Sequence, residues 1–235
     1  MRFVTWNMGC GPRPSTYRKS HDKAWRYLLD ELRPDVAIVQ EAMHARLDRE
    51  STDRVVFRNK PDGLDSGTAI LVRGVDAVGA DPITAAETYA VSMRLTVPAG
   101  SCTVVGVHVY PGDQQQLALR SLVEAFGAAA KVTPLIVAGD FNSARHFDTV
   151  YRTNNHKWFF DAMTAAGLED AHWAKHGREK QSFWGRQAKE PYQDDHVFVS
   201  AGWADRVTSC DIVDNEVVRR LSDHGPVVFE VDVKG

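Results

Sequence analysis

The sequence predicts an α/β protein: a four-layer α/β/β/α sandwich in which two mixed β-sheets pack face to face with helices outside. Three observations lead there. Short, wholly apolar runs such as VAIVQ (36–40) and LIVA (135–138) have the composition of strands buried on both faces between layers. Helical periodicity follows a strand in two stretches of the chain, which supplies the long crossovers that parallel neighbours require. Elsewhere, strand-like segments are separated only by turn residues, as in hairpins.

Taken in order, RFVTWNM (2–8) is rich in β-branched and aromatic residues, and HDKAWRYLLDEL (21–32) then places Trp25, Leu28, Leu29 and Leu32 at helical spacing. The RPD at 33–35 punctuates, and the buried strand that follows leaves Glu41 at its C-terminal end. RVVFR (54–58), a PDGLDSG turn, TAILVR (68–73), YAVSMRLTV (89–97) and SCTVVGVHV (101–109) all read as strands, with His108 near the end of the last. QQQLALRSLVEAFGAAAK (114–131) is a helix with Leu117, Leu122, Val123 and Phe126 on or near one face. The next strand ends on Asp140 and Asn142. HKWFFDAMTAAG (156–167) predicts a further helix, then a polar loop rich in Arg and Lys leads to HVFVS, RVTSCDIV and PVVFEVDV.

At 235 residues and 43% apolar content the chain can bury one large core, so residues 1–235 are read as a single domain. Charges or glycines break every hydrophobic run well short of the roughly 20 residues a spanning helix needs. MRFVTWNMGC lacks the charged and apolar regions of an export signal and begins at once as a strand, so the expectation is a soluble cytoplasmic protein without membrane insertion. Cys10, Cys102 and Cys210 have neither disulfide nor zinc spacing and read as reduced thiols. A net charge of −3 argues against coating nucleic acid by bulk attraction but leaves room for a local basic groove. No repeat or composition break marks a linker, and no obligate protein partner is evident.

Polar side chains recur at strand ends: Asn7, Glu41, His108, Asp140 with Asn142, and Asp223 with His224 before the final strand. Any one of them has a bland reading as a turn former or a satisfied structural histidine. Their recurrence points to one convergent site, since ligands of layered α/β folds gather where strand ends meet.

The pieces TWNMG, VQEA, VHVY, GDFN, DDHVFVS and SDHGPV, in this order over residues 3–229, resemble the endonuclease/exonuclease/phosphatase superfamily, which has the deoxyribonuclease I-like fold. The resemblance implies a Mg²⁺ or Mn²⁺ ion held by Glu41 with help from Asn7 and Asp223, an oxygen set suited to a hard cation. It assigns activation of an attacking water to Asp140, contact with the phosphate to Asn142, and contact with phosphoryl oxygens or proton transfer to His224, oriented by Asp195. Asp195 rather than Asp194 is taken as the partner because HVFVS follows it in register with the family motif. His108 resembles the deoxyribonuclease and sphingomyelinase branch, whereas Gly9 and the Gln193-Asp194-Asp195 run depart from the abasic-site endonucleases and point away from abasic-site specificity. With no nucleophilic Ser or Cys motif, direct water attack without a covalent intermediate is expected.

The loop at 175–193 interleaves Arg178, Lys180, Arg186 and Lys189 with Phe183, Trp184 and Tyr192, a composition that suits phosphates and unstacked bases or, equally, a solvated loop over two core aromatics. Expected substrate contacts are Arg186, Trp184, Tyr110 and Asn142. The favoured substrate is a nucleic acid or nucleotide phosphodiester. The alternatives are a phosphomonoesterase or phosphodiesterase for a small metabolite or lipid head group and, from another class, a catalytically silent binding module on the same fold.

Overall fold

The computed structural model of the chain describes residues 1–9, 17–43, 54–59, 66–79, 83, 89–185 and 191–234. Among these residues, twelve strands form two six-stranded sheets: β1 Arg2–Asn7, β2 Val36–Met43, β3 Arg54–Asn59, β4 Ser66–Val72, β11 Val207–Ile212 and β12 Val227–Val231 in the first, ordered β11-β12-β1-β2-β4-β3. The second contains β5 Asp76–Gly79, β6 Ala90–Val97, β7 Gly100–His108, β8 Leu135–Asp140, β9 Leu168–Asp170 and β10 Asp195–Ser200, ordered β5-β6-β7-β8-β10-β9. Among the described residues only β1–β2 and β7–β8 are parallel pairs, and each is linked by a helical crossover, Tyr17–Arg26 continued by a π-helical turn Tyr27–Leu32 in one case and Gln115–Ala130 in the other.

Three apolar layers account for the stacking. Phe3, Ile38, Ile70, Val104, Ile136, Val197 and Phe229 meet between the sheets; Trp6, Trp25, Leu28 and Val39 pack under the first crossover helix; Leu119, Leu122, Phe126, Phe141, Phe159 and Phe160 pack under the helices Gln115–Ala130 and Lys157–Ala165. The predicted sandwich is therefore the observed one. Within it, some local expectations shift. Leu117 is 62% exposed, because the helix turns Ala118, Leu119, Leu122 and Phe126 inward instead. Short helices at Phe147–Tyr151, Ala171–His176, Ala201–Ala204 and Glu216–Leu221 carry too few residues for periodicity to reveal them. Glu41 lies two residues inside β2, at an irregularity between Val39 and Ala42, rather than at the strand's end.

The two cysteines within the described residues, Cys102 and Cys210, are buried free thiols, and burial pushes the Cys102 thiol up to about 12, as an inert core residue requires. No helix among the described residues is long and apolar enough to cross a membrane.

His172 is buried, its Nδ1 has no hydrogen-bond partner among the described residues, and its ring lies 4.5 Å from that of His176. Burial, then the His176 charge, depress its pKa to about 4. An unfolded histidine titrates near 6.5, so between those values the unfolded chain takes up a proton that the folded chain refuses. Stability is then full above about pH 6.5 and falls by up to about 3 kcal/mol as pH drops toward 4. Urea unfolding at pH 7 and pH 4.5 should show this loss in the native protein and a markedly smaller one in His172→Gln.

Candidate active site

Strand register brings the polar residues to one end of the sandwich. In the second sheet His108 pairs with Asp140 across β7–β8, and Asp140 pairs with Asp195 across β8–β10, so three site residues stand abreast. In the first sheet Asn7 pairs with Gln40, which sets Glu41 beside it, and β12 runs antiparallel to β1 so that the segment just before it arrives at the same end. Side chains alternate along a strand. Asn7 therefore continues the inter-sheet row of Phe3, Asp140 that of Ile136 and Ala138, and Asp195 that of Val197 and Val199. The site is the polar end of rows whose middle is the hydrophobic core. A buried Thr5–Gln40 contact, with Gln40 Nε2 donating to Thr5 Oγ1 at 3.2 Å, marks the transition between the two.

Backbone geometry serves the same end. Glu41 and Asn142 adopt left-handed conformations, φ 54° and 48°. Asn tolerates this region, whereas a Glu there holds strain of order 1–3 kcal/mol that persists where surrounding structure enforces it. Gly9, at φ 61°, lies so close to the final loop that a Cβ would stand 2.9 Å from Asp223 Oδ1. Ser222 Oγ donates to the Asn7 carbonyl at 2.7 Å, and Trp6 Nε1 donates to the His224 carbonyl at 2.9 Å, which ties the Asp223–His224 loop to β1.

The result is a cavity of about 330 Å³ lined by Asn7, Gly9, Glu41, His108, Tyr110, Pro111, Asp140, Asn142, Phe183, Asp223 and His224. Asp140, 1% exposed, is its centre. Its Oδ2 accepts from Asn7 Nδ2 at 2.9 Å and lies 3.6 Å from His108 Nε2 and 3.9 Å from His224 Nε2, while its Oδ1 accepts the Asn142 amide at 2.8 Å. Burial raises the Asp140 pKa to about 7; the His224 charge and the two hydrogen bonds oppose that rise, and Asp195 adds to it. His224 Nδ1 lies 2.9 Å from Asp195 Oδ2. Burial works against charging this imidazole, but Asp195 and Asp140 outweigh it and hold the pKa well above the usual range.

Of the residues singled out by sequence, Asn7, Glu41, His108, Tyr110, Asp140, Asn142, Asp223 and His224 line the cavity, and Asp195 sits immediately behind His224. The Asn142 side chain is turned aside to donate to the Val109 carbonyl at 2.9 Å, so its backbone amide, rather than its side-chain amide, meets Asp140. Trp184 stands away from the cavity: its indole donates to the Ser222 carbonyl at 3.0 Å and lies under Arg219. Lys180 is likewise committed, donating to the Ile212 carbonyl at 2.6 Å. Arg186, Lys189 and Cys10 lie outside the described residues. Asp194 is buried, its backbone carbonyl accepts from Phe141, and burial and Asp140 push its pKa well up, so it is Asp195 that meets His224.

Sequence reasoning missed two contributors. Phe183, read as an even choice between core and ligand contact, lines the cavity with its ring 4.7 Å from that of His224. Arg145 was not singled out, yet it pairs with Asp170 at 2.8 Å between the rings of Phe160 and Trp173, and Asp170 in turn lies 3.2 Å from His196 Nδ1. Burial alone would raise the Asp170 pKa, but His196 and Arg145 hold it well below the usual range. His196 Nε2 lies 2.9 Å from the Ser143 carbonyl, so this cluster braces the loop that follows Asp140. A half-buried cation with a buried carboxylate and imidazole, drawn from three distant segments, leaves no local sequence signal.

The chain is similar in structure to the 3′ phosphatase NExo from Neisseria bound to a product DNA hairpin, at 20% identity and TM-score 0.74, with 99% of each chain covered. It is also similar to the AP endonuclease LMAP from Leishmania major, at 18% identity and TM-score 0.73, covering 97% of this chain and 86% of that one. An AP endonuclease from Archaeoglobus fulgidus matches at 18% identity and TM-score 0.70, covering 99% and 100%. At such identities these likenesses establish the fold. A comparison with curated protein sequences finds no match. The Endonuclease/Exonuclease/phosphatase family profile, by contrast, matches residues 4–224, nearly the whole chain and every residue of the cavity, and the protein belongs to that family.

Proposed function

We propose that this protein is a divalent-metal-dependent phosphoesterase that hydrolyses nucleic acid by direct attack of water on phosphorus. The observation that carries the metal requirement is charge. The cavity's described lining sets the carboxyl groups of Glu41, Asp140 and Asp223 against no lysine or arginine and one charged imidazole, that of His224, so a bound divalent cation would offset the acidic charge that a phosphate anion meets there. Glu41, Asp223 and the Asn7 amide offer the oxygen ligands that Mg²⁺ or Mn²⁺ prefers, and the strained backbone of Glu41 fits a carboxylate held in place for a ligand. Asp140, Asp195 and His224 also bring ligand atoms within 4.8 Å of one another. That trio suits proton handling better than metal binding, because Asp195 Oδ2 is already occupied by Ser182 and His224. Bound beside Glu41, a divalent ion supplies Lewis-acid stabilisation of the charge that develops at phosphorus and on the leaving oxygen.

The chain's own groups divide the remaining work. Asp140, with a pKa raised toward neutrality by burial, is suited to take a proton from water near physiological pH. Asn7 and the Asn142 amide hold its carboxyl in one orientation. His224, held charged by Asp195, presents Nε2 to the phosphoryl oxygens, and His108 presents Nε2 from the opposite side of Asp140. Nucleic acid is the substrate class that fits both the family and relatives such as the DNA-bound Neisseria 3′ phosphatase. Hydrolysis of a terminal phosphomonoester is a second reading, favoured by a cavity of about 330 Å³, near the small end of ligand sites.

A substrate panel with Mg²⁺, Mn²⁺ or EDTA tests the proposal. It compares single-stranded and duplex DNA, RNA, 3′-phosphorylated oligonucleotides, dinucleotides, sugar phosphates and lipid head groups. Metal-dependent turnover of oligonucleotides, abolished by EDTA, is expected. Turnover confined to sugar phosphates or head groups would replace the substrate class, and no turnover of any compound with either metal would make the chain a binding module.

A further inference from the structure

We infer that Ser182 is a positioning residue of this site, whose hydroxyl acts through Asp195 to fix the His224 imidazole. Ser182 is fully buried and does not line the cavity. Its Oγ accepts the backbone amides of Asp194 at 2.9 Å and Asp195 at 3.1 Å, and it lies 2.7 Å from Asp195 Oδ2. A hydroxyl offers two acceptor positions and one proton. With both acceptor positions taken by amides, the proton is directed to Asp195 Oδ2.

That same oxygen lies 2.9 Å from His224 Nδ1, while Asp195 Oδ1 has no hydrogen-bond partner among the described residues. The carboxyl group is thus anchored through one oxygen by two donors. Without the Ser182 hydroxyl, only the imidazole restrains rotation about the Cβ–Cγ bond, and the imidazole loses its fixed reference. Because Asp195 accepts at Nδ1, the ring keeps its proton there and turns Nε2 toward Asp140, 3.9 Å away. The Ser182 backbone joins the same two segments: its amide donates to the Tyr192 carbonyl at 3.0 Å, and its carbonyl accepts from Gly225 at 2.7 Å. One residue therefore sets the distance between the stretch that carries Asp195 and the loop that carries His224.

The inference rests on the catalytic role proposed for His224, and its test separates the two. Ser182→Cys is the main variant, because a thiol still offers lone pairs to the two amides but donates only weakly, whereas Ser182→Ala also strips them of an acceptor. Ser182→Cys should lower kcat about 10-fold and change KM less than about twofold, the mark of a misplaced group rather than lost binding. In an Asp195→Ala background the same substitution should cost nothing further. Independently of turnover, the His224 Nδ1–H proton resonance should exchange with water faster in Ser182→Cys than in the native protein. An undiminished kcat loss in the Asp195→Ala background, or an unchanged resonance, overturns the inference. Faster exchange in Ser182→Cys, alongside a native protein that turns over nothing, overturns the proposed function and leaves the positioning role standing.

Discussion

Asp140→Asn is expected to lower kcat by at least about 100-fold while the protein remains folded. The substitution removes the proton acceptor and also breaks the hydrogen-bond pattern around it. The native carboxyl accepts from Asn7 Nδ2 at one oxygen and from the Asn142 amide at the other. An asparagine has one acceptor oxygen, so its own NH₂ must face one of these donors. The same centre makes the native rate depend on pH: burial holds Asp140 near 7, so activity of the free enzyme should fall as pH drops through neutrality and the carboxyl gains a proton. A divalent cation bound nearby would shift that midpoint downward by favouring the charged form, whereas an anionic phosphate opposes that shift. Steady-state rates over pH 5–9, together with a thermal melt of each variant, check both statements. An Asp140→Asn enzyme within tenfold of the native kcat would remove Asp140 from the chemistry.

The second large effect belongs to His224. Asparagine here can place its Nδ2 about where His224 Nδ1 stands and keep a donor to Asp195 Oδ2, while Nε2 and the positive charge disappear. Alanine removes both. Each variant should lose at least about 100-fold in kcat, since the loss comes from the Nε2 side. They should differ in stability, because His224→Ala strands the buried Asp195 carboxyl without its imidazole, a change that costs about 3 kcal/mol for buried pairs. Parallel kinetics and chemical denaturation of the two variants make the comparison. If His224→Asn kept most of the activity, the charge at Nε2 would be irrelevant.

Much of the fold was legible because its signals are local. Wholly apolar runs marked β2 and β8 as doubly covered strands, and turn residues between β6 and β7 marked a hairpin, as their antiparallel pairing confirms. The six-residue helix Ala171–His176 was not legible, because its N-cap Asp170 and closing Gly177 matter only once β9 has delivered the chain there. Among site residues, Asp140 and His224 stood inside family motifs. Trp184 and Lys180 looked like ligand contacts from composition, but an indole N–H or an ammonium takes whichever acceptor the fold supplies, and here those acceptors are the Ser222 and Ile212 carbonyls.

By itself the sequence determined the layer architecture and which polar side chains reach one end of it, because side-chain periodicity and strand order are written in consecutive residues. Tertiary structure decided the rest: that Asp140 sits where burial raises its pKa, that a single oxygen of Asp195 meets His224, and that Ser182 holds that same oxygen. Those properties depend on angstrom-scale distances between segments far apart in the chain, and such distances exist only once two sheets have closed over a common core.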